Sequence, residues 1–198
     1  MTDAKVSLTK TKPTVSLKKA SGASGMMRVN LNWQSGANRS LFRRSNAIDL
    51  DLGCFWEFKD GRKGVVQALG DSFGSVDKPP YVSLDGDDRS GNSEGGENLT
   101  INLDHLDEIH RLLVFAYIYE GTPNWASAQA IVTMYPVSSA PIEIRLEETS
   151  SFRTVALALL ENNNGELTIK RENRYIDGTQ TALDAAYGWG MKWTTGRK

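Results

Sequence analysis

One stretch of alternating side chains decides the fold class, and it reads Ile48-Asp49-Leu50-Asp51-Leu52-Gly53-Cys54-Phe55-Trp56-Glu57. Successive side chains of a β-strand point to opposite faces. The alternation therefore predicts a strand whose apolar face is formed by Ile48, Leu50, Leu52, Cys54 and Trp56. On the other face, the carboxylates of Asp49 and Asp51 are expected to project together.

The same period of two recurs along the chain, beginning with the apolar residues that alternate between Met27 and Trp33. Further strands are predicted over residues 64–69, 99–103, 112–119, 128–135, 142–146, 154–161 and 166–175. Many short strands separated by turn-rich pieces predict an all-β fold, a two-sheet β-sandwich. Helical periodicity is fair only over residues 180–187, where Thr181 would cap one short C-terminal helix that ends at Gly188.

Bulk composition excludes several classes of protein. The chain has 198 residues, of which 39% are hydrophobic and 24% charged, and its formal net charge is -1. This composition is typical of one globular domain, and it provides no overall positive field for a nucleic-acid partner. The single cysteine, Cys54, rules out an intrachain disulfide, and the apolar stretches are only strand-length. We therefore expect a cytoplasmic protein.

The beginning of the chain differs from the rest. Residues 1–20 carry five lysines against Asp3, a net charge of +4. The motif over residues 6–10 is echoed over residues 15–19, which fits either two short edge strands or a partly ordered arm, and a Ser/Gly-rich piece follows. We therefore divide the chain into a basic, partly flexible N-terminal arm over residues 1–26 and a sandwich domain over residues 27–198.

An acidic loop follows Leu84 and carries the main functional signal. Residues 85–108 contain eight acidic residues against Arg89, a net charge of -7, and the loop includes four glycines. Calcium takes six to eight oxygen ligands at about 2.3–2.6 Å, and glycines allow backbone carbonyls to turn toward an ion. The hypothesis is that this loop and the Asp49/Asp51 strand meet around calcium. The pattern also fits a solvated turn-rich loop, and its spacing is not that of an EF-hand.

These residues resemble the tellurium-resistance TerD/TerA family. Residues 49–51 match the Asp-x-Asp strand of the family, and residues 86–97 match its Gly-Asp-Asp-x-Ser-Gly loop with a terminal acidic residue. The similarity extends over nearly the whole chain, and residues 29–33, 67–70 and 183–190 point to the TerA-like branch.

The resemblance implies a bacterial β-sandwich that binds Ca2+ in resistance to tellurite and other stresses, with no catalytic activity. The metal ligands that it implies are Asp49, Asp51, Asp87, Asp88 and Glu97, followed by Asn92 and Glu94. TerD-like members often close the loop with a longer acidic run, whereas this chain has Gly95-Gly96-Glu97. We therefore expect fewer calcium ions or weaker binding.

The preferred hypothesis is a calcium-dependent interaction module whose partners are other proteins of the stress-resistance system. One alternative is a metal-dependent enzyme, which requires a pocket and a general base beside the metal. Another is a calcium-dependent peripheral membrane binder, which requires exposed apolar loop tips, and the nearby candidates are Phe73 and Tyr81. The sequence leaves the oligomeric state open.

Several other reactive or aromatic side chains are expected to be structural. His105 and His110 have no cysteine or histidine at zinc spacing, so we expect structural or surface histidines. Cys54 lies on the apolar face of its strand, where a buried, inert thiol is expected. Trp189 and Trp193 are expected to pack into the core.

We predict that residues 1–26 exchange their amide hydrogens faster than the sandwich, because apart from the echoed Val/Leu pairs they contain little apolar side chain. Hydrogen exchange followed by mass spectrometry measures this difference. Uniform protection across the arm and the sandwich would refute the prediction.

Overall fold

Two β-sheets packed face to face form the body of the protein. The computed structural model describes residues 5–18, 23–34, 48–85, 96–121 and 123–194. Within these residues, a first sheet has the strand order β1-β11-β10-β3-β8-β7-β6 and a second sheet has the order β2-β13-β12-β9-β4-β5. The first sheet contains β1 (Val6–Ser7), β3 (Met26–Asn32), β6 (Gly74–Ser75), β7 (Val82–Leu84), β8 (Glu97–Asn102), β10 (Ile131–Tyr135) and β11 (Ile142–Arg145). The second contains β2 (Thr14–Lys18), β4 (Asp49–Phe58), β5 (Lys63–Gln67), β9 (Ile109–Glu120), β12 (Thr154–Asn163) and β13 (Glu166–Ile176).

The prediction of a two-sheet β-sandwich with a short C-terminal helix is confirmed. The C-terminal helix α2 covers Gln180–Tyr187 and ends at Gly188, which adopts the left-handed conformation with φ 62°. The spacing predicts Thr181 as the N-cap of this helix, but the N-cap in the structure is Thr179. None of the helices in the described ranges is long and apolar enough to cross a membrane.

A second short helix, α1 (Trp125–Ala128), lies where the sequence pattern predicts the start of a strand. The side chain of Asn124 accepts a hydrogen bond from the Ser127 amide and caps this helix. Gln129 then adopts a left-handed conformation with φ 47°, so the strand begins only at Ile131. The end of the helix at Ala128 and the left-handed Gln129 therefore shorten the predicted strand by three residues.

The echoed segments of the N-terminal arm are edge strands. Strand β1 pairs parallel with β11, and β2 pairs antiparallel with β13, so each lies at the end of a different sheet. Lys5 also forms an ion pair with Glu143 at 3.2 Å. The faster exchange of the arm stays a prediction, because edge pairing of short strands is compatible with local opening.

The main core lies between the two sheets. Strand β4 contributes Leu50, Leu52 and Cys54 to it, as the alternation predicts. From the facing sheet, β3 contributes Val29 and Leu31. Trp56 is half-buried and packs against the edge of this core.

The outer face of the second sheet is also covered, by α2 and the residues after it. Phe55 and Phe115 point outward from β4 and β9 and pack with Leu183 and Trp189, so the expectation that the tryptophan lies in the core is confirmed. The guanidinium of Arg111 lies 4.0 Å from the Trp189 ring centroid. This second core fixes the C-terminal segment against the sheet.

A buried carboxylate holds the turn after α2. Asp184 accepts hydrogen bonds from the amides of Gly190 (2.7 Å) and Met191 (2.8 Å) and from the indole Nε1 of Trp193 (2.9 Å). Three donors thus converge on one side chain that is almost inaccessible to solvent. Such a group stabilises the segment because three hydrogen bonds to one buried carboxylate fix the backbone and the indole that follow the helix.

We predict that Asp184→Ala lowers the free energy of unfolding by about 2–4 kcal/mol, because it leaves these donors without their acceptor. Urea denaturation measures the change. Asp77→Ala removes an exposed carboxylate and serves as the control, with an expected change of less than about 0.5 kcal/mol. Equal effects of the two substitutions would contradict the role assigned to Asp184.

Candidate metal centre

An acidic side chain of the first sheet contacts the second sheet where β4 and β8 begin. The carboxylate Oε2 of Glu97, the first residue of β8, accepts a hydrogen bond of 2.6 Å from the backbone amide of Leu52 in β4. Asp51 is the residue directly before Leu52. Asp51 and Glu97 are only 0% and 1% exposed, respectively. The end of the acidic loop and the Asp-x-Asp strand therefore come together, as the sequence predicts for these two residues.

The position of Leu52 explains why its amide is available to Glu97. Strand β5 pairs with β4 from Gly53 to Glu57, so Leu52 lies one residue beyond this ladder. A backbone amide at such a place needs another acceptor, since a buried N–H without one is costly. The Glu97 carboxylate provides that acceptor from the opposite sheet, and a hydrogen bond to an ionised group is stronger than a neutral one.

Gly96 sets the path of the chain into Glu97. Its φ is +63°, a conformation that residues with a Cβ seldom adopt. A Cβ built at this position would lie 2.1 Å from the carbonyl oxygen of Leu31. Glu97 in turn is the register partner of Leu31 in the β3–β8 ladder. A glycine here thus allows the close approach that aims Glu97 toward β4.

The two ends of the acidic loop are joined by Asp85 and Asn98. The carboxylate of Asp85 accepts from both the backbone amide (3.0 Å) and the side-chain amide (2.8 Å) of Asn98. The Asp85 amide donates to the Asn98 carbonyl at 3.0 Å. Asn98 Oδ1 also accepts from Arg28 and Asn30, each at 2.9 Å. Asp85 therefore closes the base of the loop, and we name this set of bonds the loop clamp.

Of the remaining candidate metal ligands, the structure describes only Asp49. Asp49 is half-buried at the start of β4 and pairs with Glu120, with a register shift before Leu50. The other four candidates lie outside the described residues, and these are Asp87, Asp88, Asn92 and Glu94. Within the described ranges, no group of three or more His, Cys, Asp or Glu side chains is arranged to hold a metal ion.

The donor chemistry of this junction fits a hard cation. Asp51 and Glu97 provide carboxylate oxygens, and calcium prefers oxygen ligands over nitrogen or sulfur. Both carboxylates are buried, and a positive charge close by would offset the cost of burying their charge. The sequence missed the Leu52 amide and the loop clamp, which no local pattern reveals. The glycine before Glu97 was visible as a signal of a special backbone conformation.

Cys54, His105 and His110 occupy the structural or surface positions that the sequence predicts for them. Burial raises the pKa of the Cys54 thiol far above its usual value, so the reactive thiolate is disfavoured. His105 stacks on Tyr81 with a centroid distance of 3.7 Å, and its Nδ1 lies 3.1 Å from Glu108. His110 is exposed on β9.

Phe73 and Tyr81 are not the exposed apolar loop tips that a membrane binder would require. Tyr81 is buried, and Phe73 is half-buried against the main core, because both side chains cover the end of the sandwich. Among the described residues, the large hydrophobic side chains that are exposed are Met26, Tyr119, Val137 and Phe152. Phe73 and Tyr81 thus provide no apolar surface for a membrane.

The fold and this junction define a class of protein. It is a two-sheet β-sandwich in which each sheet contributes a buried carboxylate near the end of an acidic loop. No family model matches the chain. The chain is 45% identical to "Tellurium resistance protein TerA" of Alcaligenes sp over 98% of its own length. Over nearly its whole length the chain is thus similar to a member of the tellurium-resistance TerD/TerA family. It spans 58% of the length of this relative.

Two crystal structures share the fold. One is a homologue of the telluride resistance protein TerD from Streptomyces coelicolor A3(2), with a TM-score of 0.57 and 21% identity over 82% of this chain and 95% of that one. The other is a protein of unknown function, with a TM-score of 0.64 and 16% identity over 86% of this chain and 99% of that one. At these identities, the likeness concerns the sandwich itself.

We predict that Gly96→Ala destabilises the protein more than Gly61→Ala by about 1–3 kcal/mol. Both glycines have positive φ, but a Cβ at Gly61 meets nothing within 4 Å, whereas at Gly96 it meets the Leu31 carbonyl. The control therefore carries the conformational strain without the clash. Urea denaturation of the two variants measures the difference. Equal losses would show that the contact with Leu31 does not constrain the chain.

Proposed function

We propose that this protein binds calcium where β4 and β8 meet, and that the bound ion orders the acidic loop for contact with other proteins of a tellurium-resistance system. The observation that carries the proposal is the hydrogen bond from Leu52 to Glu97, which brings a loop carboxylate to the residue beside Asp51. The proposed role is binding and not catalysis. The bacterial cytoplasm is the proposed compartment, since the single cysteine is buried and forms no disulfide.

Asp51 and Glu97 would hold the ion from the side of the sheets. The sequence-predicted ligands Asp87, Asp88, Asn92 and Glu94 would approach it from the loop, and Asp49 from the start of β4. Calcium would supply positive charge against the net charge of -7 over residues 85–108. Glu97 is oriented before binding by the Leu52 amide, so less ordering of this ligand is needed on binding.

The loop clamp limits the entropy that binding must remove. Asp85 and Asn98 hold the two ends of the stretch 86–97 together without a bound ion. Closing a loop costs conformational entropy, and here the sheet has already supplied that closure. Calcium would then order a loop of fixed ends, and the ordered loop would present a defined surface to a partner protein.

We predict that calcium raises the melting temperature, because a ligand that binds only the folded state stabilises it by mass action. At a concentration of about 100 times the dissociation constant, the gain is about 2.7 kcal/mol, which corresponds to roughly 5–10 °C for a chain of this size. Thermal unfolding in calcium, in magnesium and in excess chelator measures the effect. Identical curves in calcium and chelator would contradict calcium binding.

We also predict that Asp51→Asn and Glu97→Gln each weaken calcium binding by about tenfold or more, because each removes a charged ligand. Glutamine can still accept the hydrogen bond from Leu52 through its amide oxygen, so this variant is expected to stay folded. Calorimetric titration of both single variants and the double variant measures the effects. If both residues bind one ion, the losses will not be additive.

The matched control for these variants is Asp107→Asn, which neutralises an exposed carboxylate near the loop in sequence. It should leave calcium affinity unchanged. Wild-type affinity in Asp51→Asn and Glu97→Gln would refute the junction as a calcium site. Combining Asp51→Asn with Asp87→Asn then tests whether strand and loop bind the same ion, since independent sites would give additive losses.

A further inference from the structure

The N-terminal arm adds one edge strand to each sheet of the sandwich. Strand β1 lies at the edge of the first sheet beside β11, and β2 lies at the edge of the second sheet beside β13. The amide of Leu8 donates to the Glu143 carbonyl at 2.9 Å, and the amide of Arg171 donates to the Pro13 carbonyl at 2.7 Å. The arm therefore crosses from one sheet to the other between Leu8 and Pro13.

The echoed motif of the arm places equivalent side chains in equivalent surroundings. Leu8 and Leu17 are the third residues of the two Val-Ser-Leu copies, and both are buried in the main core. Val6 and Val15, the first residues of the copies, are partly buried and pack against the same core. Each sheet edge thus holds a Val-Ser-Leu strand through its main chain and its alternate apolar side chains, as in recognition by β-strand addition.

The charges of the arm complement those of the edge that it covers. Lys5 Nζ lies 3.2 Å from the carboxylate of Glu143, and Lys10 Nζ lies 3.0 Å from that of Glu148. Both lysines are exposed, so these ion pairs contribute little to stability. They nevertheless favour a basic strand over an acidic one at this place, and residues 1–20 carry a net charge of +4.

A cavity of about 560 Å³ adjoins the crossing of the arm. Residues 7–10 of the arm line it, together with five charged residues of the sandwich, which are Glu143, Arg145, Glu147, Glu148 and Arg171. The crossing therefore leaves space next to the sandwich, and β1 and β2, with two and five residues, provide the sheet pairing of the arm. A segment with so few bonds opens at a lower free energy than the whole domain.

We propose that the arm exchanges between two copies of this chain, so that β1 and β2 of each copy complete the sheets of the other. Every copy carries the strand that the edges beside β11 and β13 hold. An arm from a second copy makes the same bonds as the arm of the same chain, so concentration decides between the two arrangements. The effective concentration of a tethered segment is about millimolar, and the exchanged dimer becomes populated as the protein approaches that range.

The exchange does not involve the junction of Leu52 and Glu97, so it is tested in excess chelator. Light scattering after size-exclusion chromatography measures the dimer fraction of the full-length chain, which should rise between about 10 μM and about 1 mM. Ser16 and Thr168 are register partners in the β2–β13 ladder, so cysteines at these positions can form a disulfide. Ser16→Cys/Thr168→Cys, oxidised by glutathione disulfide, should therefore stay monomeric at every concentration. With dithiothreitol, the same variant should dimerise like the wild type.

Mixing two single variants detects the exchange directly. Ser16→Cys and Thr168→Cys, combined at high concentration and oxidised in the same way, should give a disulfide between chains. Asp77→Cys replaces Thr168→Cys in the control, because Asp77 is exposed near the opposite edge of the first sheet, and this mixture should give about tenfold less product. The proposal is overturned if the wild type is monomeric throughout, if the oxidised double variant dimerises, or if the two mixtures give equal product.

Discussion

Burial of β4 on both faces is the constraint on which the rest of the structure depends. Its inward side chains, such as Leu50 and Leu52, form the core between the sheets, while Phe55 points outward into a second core. Gly53 lies two residues before Phe55 on the same outward face, and a Cβ built at Gly53 would lie 2.4 Å from the ring of Phe115. A strand with two apolar faces needs a layer on each side, and the C-terminal segment provides the second one.

This second layer depends on polar groups as much as on apolar ones. Arg111 forms an ion pair with Glu57 at 2.6 Å and donates to the carbonyls of Tyr187 and Gly188. Lys63 donates to the Trp189 carbonyl at 2.6 Å. These bonds satisfy the end of α2, where backbone carbonyls have no partner within the helix. The outer face of the sheet is thereby closed over Phe55.

The start of β4 combines the same burial with charge. Asp51 and Glu97 lie in a region without solvent access, where a carboxylate is stable only with donors or a cation nearby. The Leu52 amide fixes one oxygen of Glu97 across the gap between the sheets. Because the clamp of Asp85 and Asn98 holds the loop at its base, the acidic side chains that follow Asp85 start from a fixed point beside this junction. A cation bound by residues of both sheets would therefore stabilise the folded domain as a whole.

The sequence by itself determined the fold class, most of the strands, the short C-terminal helix that ends at Gly188, and the approach of Glu97 to the Asp-x-Asp strand. These features depend on local alternation, on turn residues and on a family resemblance, all of which are read over a few neighbouring positions. Only the tertiary structure decided that the outer face of β4 is covered and that the Leu52 amide binds the Glu97 carboxylate. Such contacts join residues far apart in the chain, and their energies depend on burial and on the distance between atoms, which a linear pattern does not contain. The start of β10 shows the same limit over a short range, since the helix α1 and the left-handed Gln129 place it at Ile131 and not at Ala128.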